Sequence, residues 1–564
     1  MIEKRWTVLP PSPHATTLHQ ALGVNPLICN ILAARGIETF EAAKKFFRPD
    51  VAHLHDPFLM KDMHQAVTRL QQAVENQEPV LVFGDYDVDG TTSVASMYQF
   101  LQTVLHQVYY YIPHRYREGY GVSKQGIEFA KAKNCSLIIA LDCGTKSVAL
   151  VNYAKSLGID FIICDHHLPD DELPDAIALL NPKQADCTYP FKHLCGCGVG
   201  FKLMQAVAQT LSLPPQTYLQ FLPLVATAIG ADIVPVIDEN RVLASLGIQQ
   251  INTQPPPAIK ALLELAQYKA TVTLTDIVFL VAPRINAAGR MDDASKAVEL
   301  FIQTDFSAAV EMAKLLQTDN NNRKIEDAAI TTEALEMLAE QENLHTKKSI
   351  VVYQPHWHKG VVGIVASRLV ENYYKPTVVL TQSGEVLAGS ARSVIGFNLH
   401  DAIHACAPHL ITYGGHYAAA GVTLHPHQLD AFKQAFENAV AEQIQPNSLQ
   451  PEILIDSPLS LHELTSNFFP ILQQFEPFGP DNMNPTFLLQ NVQDFGKSRI
   501  VKEQHIRFDI VQNNYSITGI GFGLAHKFPI IESGQPFQMV AHLQQNEFNG
   551  TKSLQLRVLD IKPQ

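Results

Sequence analysis

The stretch VLVFGDYDVDG, residues 80–90, decides how this chain is read. Its first four residues form a continuous apolar run, as expected of a strand buried on both faces. Its second half brings Asp85, Asp87 and Asp89 within five residues. Carboxylates this close repel one another and are tolerated where a divalent cation neutralises them. Gly84 and Gly90 permit the tight backbone path that such a segment needs. A calcium loop of the EF-hand kind fits poorly. No glutamate stands at its twelfth position, and a strand rather than a helix precedes the acids.

Outward from this stretch the same design repeats. TTSVASMYQFLQTVLHQ (91–107) and KQGIEFAKAKN (124–134) have helical character, and VYYYIPHR (108–115) reads as a strand. SLIIALDCG (136–144) and DFIICDHHLPD (160–170) are again strands running into polar loops. Strands alternating with helices predict a parallel sheet covered on both faces, with ligands bound beyond the carboxyl ends of its strands. Asp142 ends one strand, Asp165-His166-His167 ends the next, and Asp232 follows the apolar helix LVATAIGA (224–231). Carboxylates with imidazole suit manganese or magnesium better than a thiolate-based zinc site.

At 564 residues the chain exceeds one hydrophobic core, and roughly three or four domains are expected. Residues 1–75 read as a largely helical preface with an amphipathic stretch, Asp62–Glu75. Residues 76–315 hold the parallel sheet and the acidic motifs. A long polar helix is expected around Asp319–Leu344, connecting (316–345) to a second α/β domain at 346–447. That domain has strands SIVVYQ (349–354) and PTVVLTQ (376–382) between Gly-rich loops. The last segment, 448–564, is rich in short strands, with a hairpin signal at Asn549-Gly550, and suggests a small barrel of the OB type.

The net charge of −13 argues against attachment to nucleic acid by bulk positive charge. A local basic groove with bound cations remains compatible with it. No run of about 18 apolar residues occurs, and the N-terminal residues lack a signal-peptide core, so a cytoplasmic protein without a membrane span is expected. The eight cysteines lack framework spacing and read as reduced thiols. The Cys195-Gly-Cys197 pair lacks the two further ligands that a zinc site requires.

The segments GDYDVDG (84–90), LDCG (141–144), DHH (165–167) and ADIVP (231–235) resemble the four signature motifs of the DHH phosphoesterases. IPHRYREGYG (112–121), PRINAAGRMDDASKAVELF (283–301), GVVGIVASRL (360–369), GSARS (389–393) and GGHYAAAG (414–421) carry the resemblance over nearly the whole chain. Within the superfamily it points to the RecJ family of 5′-to-3′ single-strand exonucleases, acting in DNA repair and recombination.

The resemblance implies Asp85, Asp87, Asp89, Asp142, His166 and Asp232 as ligands of two divalent ions, Mn2+ or Mg2+, with Asp142 bridging. It implies Asp142, His166, His167 and Asp87 as the catalytic group, His167 acting as a hydrogen-bonding or proton-handling neighbour. Arg115, Arg290, Ser390, Arg392, Gly415 and His416 are implied in holding the strand and its 5′-phosphate. One departure is Phe83, where some superfamily members carry a histidine. By resemblance to the family's barrel, Lys497, Arg499, Lys502, His505, Arg507, Lys552 and Arg557, interleaved with Phe495, Phe508 and Phe548, form a surface that tracks a backbone and stacks bases. The implied partners are single-stranded DNA, single-strand-binding protein and a helicase.

Two other readings compete. A phosphodiesterase of the same superfamily acting on short oligonucleotides or other small phosphoesters would not need so long a chain or a barrel. A binding scaffold with a degenerate site would not retain every ligand.

Overall fold

The structure, a computed structural model, describes residues 2–291, 293–548 and 551–564. The expected hairpin turn at Asn549-Gly550 lies outside these residues. Contacts divide the chain into two compact units. One comprises residues 10–320, 459–559 and 563–564; the other comprises 1–9, 321–458 and 560–562. Strand β1 (Arg5–Val8) opens the chain and belongs to the second unit.

The first unit is built on a five-stranded parallel sheet: β2 (Val80–Gly84), β3 (Val108–Tyr111), β4 (Leu137–Leu141), β5 (Asp160–Cys164) and β6 (Ala178–Leu180). The spatial order is β3-β2-β4-β5-β6. β2 and β4 are buried along their whole length, which explains their uninterrupted apolar runs. Register places Gly84 opposite Leu141 and Leu141 opposite Cys164. The residues that follow each strand, Asp85, Asp142 and Asp165, therefore emerge level with one another. The chain leaves β2 toward β3 on one side and reaches β4 on the other, so this edge of β2 and β4 is the topological switch point where such sheets bind ligands.

The acidic segment is less of a loop than its composition suggests. The helix after β2 starts at Val88, three residues before the expected Thr91, because the Asp87 carboxylate accepts from Gly90 N–H at 3.1 Å and caps it. Helices Gly196–Thr210 and Leu222–Ala231 pack on the same core.

The C-terminal part of this unit is a barrel. After the short β13 (Ser457–Pro458), it contains β14 (Phe487–Asp494), β15 (Arg499–Val501), β16 (His505–Gln512), β17 (Tyr515–Gly521), β18 (Phe537–Phe548) and β19 (Thr551–Pro563). β14 pairs with both β16 and β18, β16 with β17, β17 in parallel with β19, and β19 with β18. Five strands thus close on themselves, with the short helix Phe528–Glu532 between β17 and β18, which is the OB arrangement. Phe487, Phe508, Ile510, Met539 and Leu556 fill its interior.

The second unit carries a mixed sheet of β7 (Ile350–Tyr353), β8 (Thr377–Ser383), β9 (Val386–Arg392), β10 (Thr412–Gly415) and β11 (Ala419–Leu424), ordered β10-β11-β9-β8-β7. GSARS lies on β9, and GGHYAAAG, one of the Gly-rich segments expected as loops, forms the β10–β11 hairpin. Short side chains there allow strands to pack closely; a Cβ at Gly389 would lie 2.4 Å from the Val379 carbonyl oxygen. β1 pairs in parallel with β12 (Glu452–Ile455), reinforced by the Arg5–Glu452 ion pair at 3.0 Å.

The long polar helix runs Phe306–Ala339, starting well before the expected Asp319. The Asp305 carboxylate accepts from Ala308 N–H at 2.8 Å and starts the helix there. The division between the units falls within it, at Asn320 and Asn321. No helix of the described residues is long and apolar enough to cross a membrane.

Candidate metal centre

Around the carboxyl ends of β2, β4 and β5, five carboxylates and two imidazoles converge. His166 Nε2 lies 3.2 Å from Asp142 Oδ1, 3.5 Å from Asp232 Oδ2 and 3.8 Å from Asp89 Oδ2. Asp85, Asp89, Asp142 and His166 are all buried. Ligand atoms come within 4.8 Å of one another in three groups: Asp85, Asp87 and Asp142; Asp89, His166 and Asp232; and Asp142, His166 and His167. Asp142 and His166 each belong to two groups, so the structure brings all six sequence-proposed ligands into one contiguous cluster.

The local folding explains each placement. Asp142 continues the sheet by donating its N–H to the Cys164 carbonyl at 2.9 Å, yet its φ is 58°. A non-glycine residue in the left-handed region is strained, and here the strain turns the carboxylate into the centre. A Cβ at Gly196 would come within 2.5 Å of Asp142 Cβ, so only glycine lets the Gly196–Thr210 helix approach this closely. That helix directs Gly196 N–H and Cys197 N–H at the two Asp89 oxygens, at 2.6 and 2.7 Å. The Cys195-Gly-Cys197 pair thus starts a helix, with Cys195 Sγ accepting from Gly198 N–H.

Burial raises Asp85 and Asp142 well above the ordinary carboxylate range, and the Asp87 and Asp89 charges respectively push further the same way. Asp89 is pushed up to about 7 by burial and by Asp87, opposed by the two helix N–H groups. Asp232 rises to about 9 through burial and the Asp89 charge. Such a cluster is costly to bury without cations. Asp142 Oδ1 is buried and receives no hydrogen bond from the described residues. Oxygen donors with the imidazoles of His166 and His167, and no thiolate in any of the three groups, fit a pair of hard divalent cations such as manganese or magnesium.

Asp165, left outside the ligand set, has a different task. Burial opposes its charge, but the hydrogen bond and charge of His167 outweigh it and hold Asp165 below the usual carboxylate range. Asp165 Oδ1 lies 2.7 Å from His167 Nδ1, and Asp165 Oδ2 accepts from Thr145 N–H at 2.9 Å. The Tyr120 hydroxyl lies 3.0 Å from His167 Nε2. With both ring nitrogens engaged, His167 is oriented as a neighbour of the ligands. Sequence reading missed Tyr120 and Asp165 as working parts, although both stood inside quoted motifs. The tyrosine's role depends on a contact across 47 positions.

The candidate strand-binding residues fall in both units. In the first, the Arg115 guanidinium sits 4.8 Å above the Tyr86 ring. The Arg290 carbonyl accepts from the Tyr116 hydroxyl. A Cβ at Gly289 would meet the Tyr86 carbonyl oxygen at 2.7 Å, so the helix Ala282–Met291, which carries AAGR, packs directly on the acidic segment. In the second unit, Arg392 Nη1 donates to Ser390 Oγ at 2.7 Å, and Gly363 of the GVVG segment packs against both side chains. Gly415 has φ 154°, and its neighbour His416 donates its N–H to the Ala419 carbonyl at 2.8 Å.

On the barrel, one expectation is corrected. Phe508 is fully buried because β16 alternates inward and outward and Phe508 points inward, so it cannot stack on a base. Phe495 is exposed, as is Phe522, which the sequence reading passed over and whose ring lies 5.2 Å from His505. Arg499 and Arg507 face each other across β15 and β16. The Phe548 side chain lies outside the described residues.

A doubly covered parallel sheet that gathers acids and a histidine at its switch point, followed by a second α/β unit, defines a phosphoesterase of the DHH class. Residues 79–229 match the DHH family, N-terminal domain, residues 346–442 the DHHA1 domain, and residues 455–560 the RecJ OB domain. The single-stranded-DNA-specific exonuclease RecJ of Bacillus subtilis (strain 168) is 36% identical over 99% of this chain and 70% of its own length. The chain belongs to the RecJ family. Crystal structures of RecJ from Thermus thermophilus in complex with Mn2+ and with Mg2+ superpose with TM-scores of 0.84 and 0.80, at 26% and 25% identity. Each covers 99% of this chain and 79% of the other.

Proposed function

We propose that this chain is a metal-dependent exonuclease that hydrolyses single-stranded DNA from its 5′ end, in DNA repair and recombination. The observation that carries the reading is the sharing of Asp142 and His166 between adjacent ligand groups, which suits two cations side by side. In this reading Asp85, Asp87 and Asp142 hold one divalent ion, and Asp142, Asp89, His166 and Asp232 the other. When bound, such a pair neutralises the nonbridging phosphate oxygens, lowers the pKa of the attacking water and stabilises the leaving oxygen.

The protein's own groups do the remaining work. Asp142 keeps the two halves of the centre in register, and His166 supplies a donor without adding negative charge. Gly196 and Cys197 N–H groups fix the rotamer of Asp89. Asp165 orients His167, which is placed to hold or pass a proton beside the reacting phosphate. Arg115 and Arg290 serve the strand next to the centre. In the other unit, Ser390, Arg392, Gly415 and His416 offer a hydroxyl, a guanidinium and backbone N–H groups suited to a 5′-terminal phosphate. The family resemblance further supports a cytoplasmic enzyme working with single-strand-binding protein and a helicase.

Digestion of an end-labelled single strand tests the reading. Manganese should give progressive loss from a 5′-phosphorylated end, and chelator should stop it. Preferential cleavage of dinucleotides over long strands would favour the small-substrate phosphodiesterase instead.

A further inference from the structure

Three consecutive buried residues, Glu239, Asn240 and Arg241, follow the Asp232 segment, and each engages a different neighbour. Glu239 pairs with Lys202 at 2.8 Å and accepts from the Tyr189 hydroxyl at 2.5 Å. The Arg241 guanidinium donates to the Gln474, Phe475 and Glu476 carbonyls at 2.8–3.0 Å and stacks on Phe46 at 3.6 Å. Asn240 Nδ2 donates to the His193 carbonyl at 2.7 Å and to the Pro235 carbonyl at 2.9 Å.

The two acceptors of Asn240 belong to the two backbone segments that flank the metal centre. His193 stands three residues before Gly196, whose N–H, with that of Cys197, holds the Asp89 carboxylate. Pro235 stands three residues after Asp232. Asp89 Oδ2 and Asp232 Oδ2 both face His166 Nε2, at 3.8 and 3.5 Å. A change in the separation of these segments therefore alters the spacing of the donors themselves. Asn240 is fully buried, and among the described residues its Oδ1 has no hydrogen-bond partner, so the amide acts here through its two N–H bonds.

We infer that Asn240 is a positioning residue of the metal centre, tying the Asp232 segment to the helix start that orients Asp89. The inference rests on the metal-centre reading above. Partners that orient metal ligands without touching the ion commonly contribute 10- to 100-fold in affinity, so an effect of roughly that size is expected. Leucine keeps the heavy-atom branching of asparagine and removes both N–H groups, leaving the two carbonyls without their donor.

The test measures Mn2+ binding to the full chain by calorimetry, the Mn2+ midpoint of single-strand hydrolysis, and KM for DNA at saturating Mn2+. The variants are Asn240→Leu, Asn240→Ser and, as a destabilised control, Arg69→Lys, whose partners Glu78 and Asp160 lie at the opposite ends of the strands. Asn240→Leu should weaken Mn2+ binding roughly 10- to 100-fold and shift the midpoint equally, with KM for DNA unchanged. Arg69→Lys should bind Mn2+ like the wild type despite a lower Tm. Equal Mn2+ affinity in wild type and Asn240→Leu overturns the inference while leaving the metal centre standing. Failure of the wild type to take up Mn2+ removes the centre itself. Should Asn240→Leu not fold, Asn240→Ser is read in the same way. Unfolding of both, or an equal loss of affinity in Arg69→Lys, makes Asn240 a general structural residue and overturns the proposal.

Discussion

Asp142 Oδ1 lies 3.2 Å from His166 Nε2, and the aspartate reaches that position only through a left-handed backbone conformation. Strain of this kind costs on the order of 1–3 kcal/mol and persists where the surroundings enforce it. Here they do so through the ladder bond to Cys164 and the close passage of Gly196.

The first prediction concerns that residue. Asp142→Ala removes the carboxylate common to two ligand groups and should lower hydrolysis by well over the roughly 100-fold typical of an outer partner, while DNA binding persists. Gel-shift and single-turnover assays on the same preparation separate the two effects. Near-wild-type turnover would remove the bridging role.

A second outcome follows from the electrostatics of the acidic cluster. Bound cations relieve the mutual repulsion of Asp85, Asp89, Asp142 and Asp232, so Mn2+ should raise the Tm and chelator lower it. At a hundred times Kd the gain is about 2.7 kcal/mol. Scanning calorimetry with and without chelator reads this shift directly, and Asp142→Ala should lose most of it.

Arg392→Ala tests the second unit. Its guanidinium lies on β9 beside Ser390 and away from the acidic motifs in sequence. The variant should reduce the preference for a 5′-phosphorylated end over a 5′-hydroxyl end by about tenfold, the loss expected from a charged hydrogen bond of roughly 1.5 kcal/mol. The ratio of the two cleavage rates is the measurement, and an unchanged ratio contradicts the assignment.

The fourth prediction concerns stability and pH at the other end of the sheet. Arg69, itself buried, pairs with Asp160 at 2.6 Å and Glu78 at 2.8 Å. Burial alone would raise Glu78, but hydrogen bonds from Ser136 and Arg69 prevail and hold it below the usual glutamate value. A carboxylate held low contributes stability above its unfolded pKa and loses it as pH falls through its folded pKa. Arg69→Met should cost about 1.5–3 kcal/mol near neutral pH and less in acid, the partial exposure of Glu78 and Asp160 keeping it below the cost of breaking a fully buried pair. Urea denaturation at both pH values checks the direction, and a larger cost in acid would contradict it.

Much of the fold was legible from single segments. A strand buried on both faces must be apolar at every position, so β2, β4 and β5 announced themselves, and each ended in its own acid or histidine. The six ligand candidates followed, because a charged residue at the end of a buried strand has few other reasons to be there. What misled the reading was chemistry shared by loops and strands. GGHYAAAG has the small residues of a loop, but here they let β9, β10 and β11 lie close together. Phe508 carried the composition of a stacking surface, and only the alternation of β16 about a closed barrel shows that it faces inward.

By itself, then, the order of residues determined the parallel sheet, the acidic strand ends and the family motifs, because each of these is a local pattern of hydrophobicity and charge. The tertiary structure decided which of those groups meet. The register that sets Asp85, Asp142 and Asp165 level, the helix start that holds Asp89, and the clamp from Asn240 to His193 and Pro235 all depend on contacts between segments far apart in the chain. Such contacts are set by packing against a common core, and no local pattern encodes them.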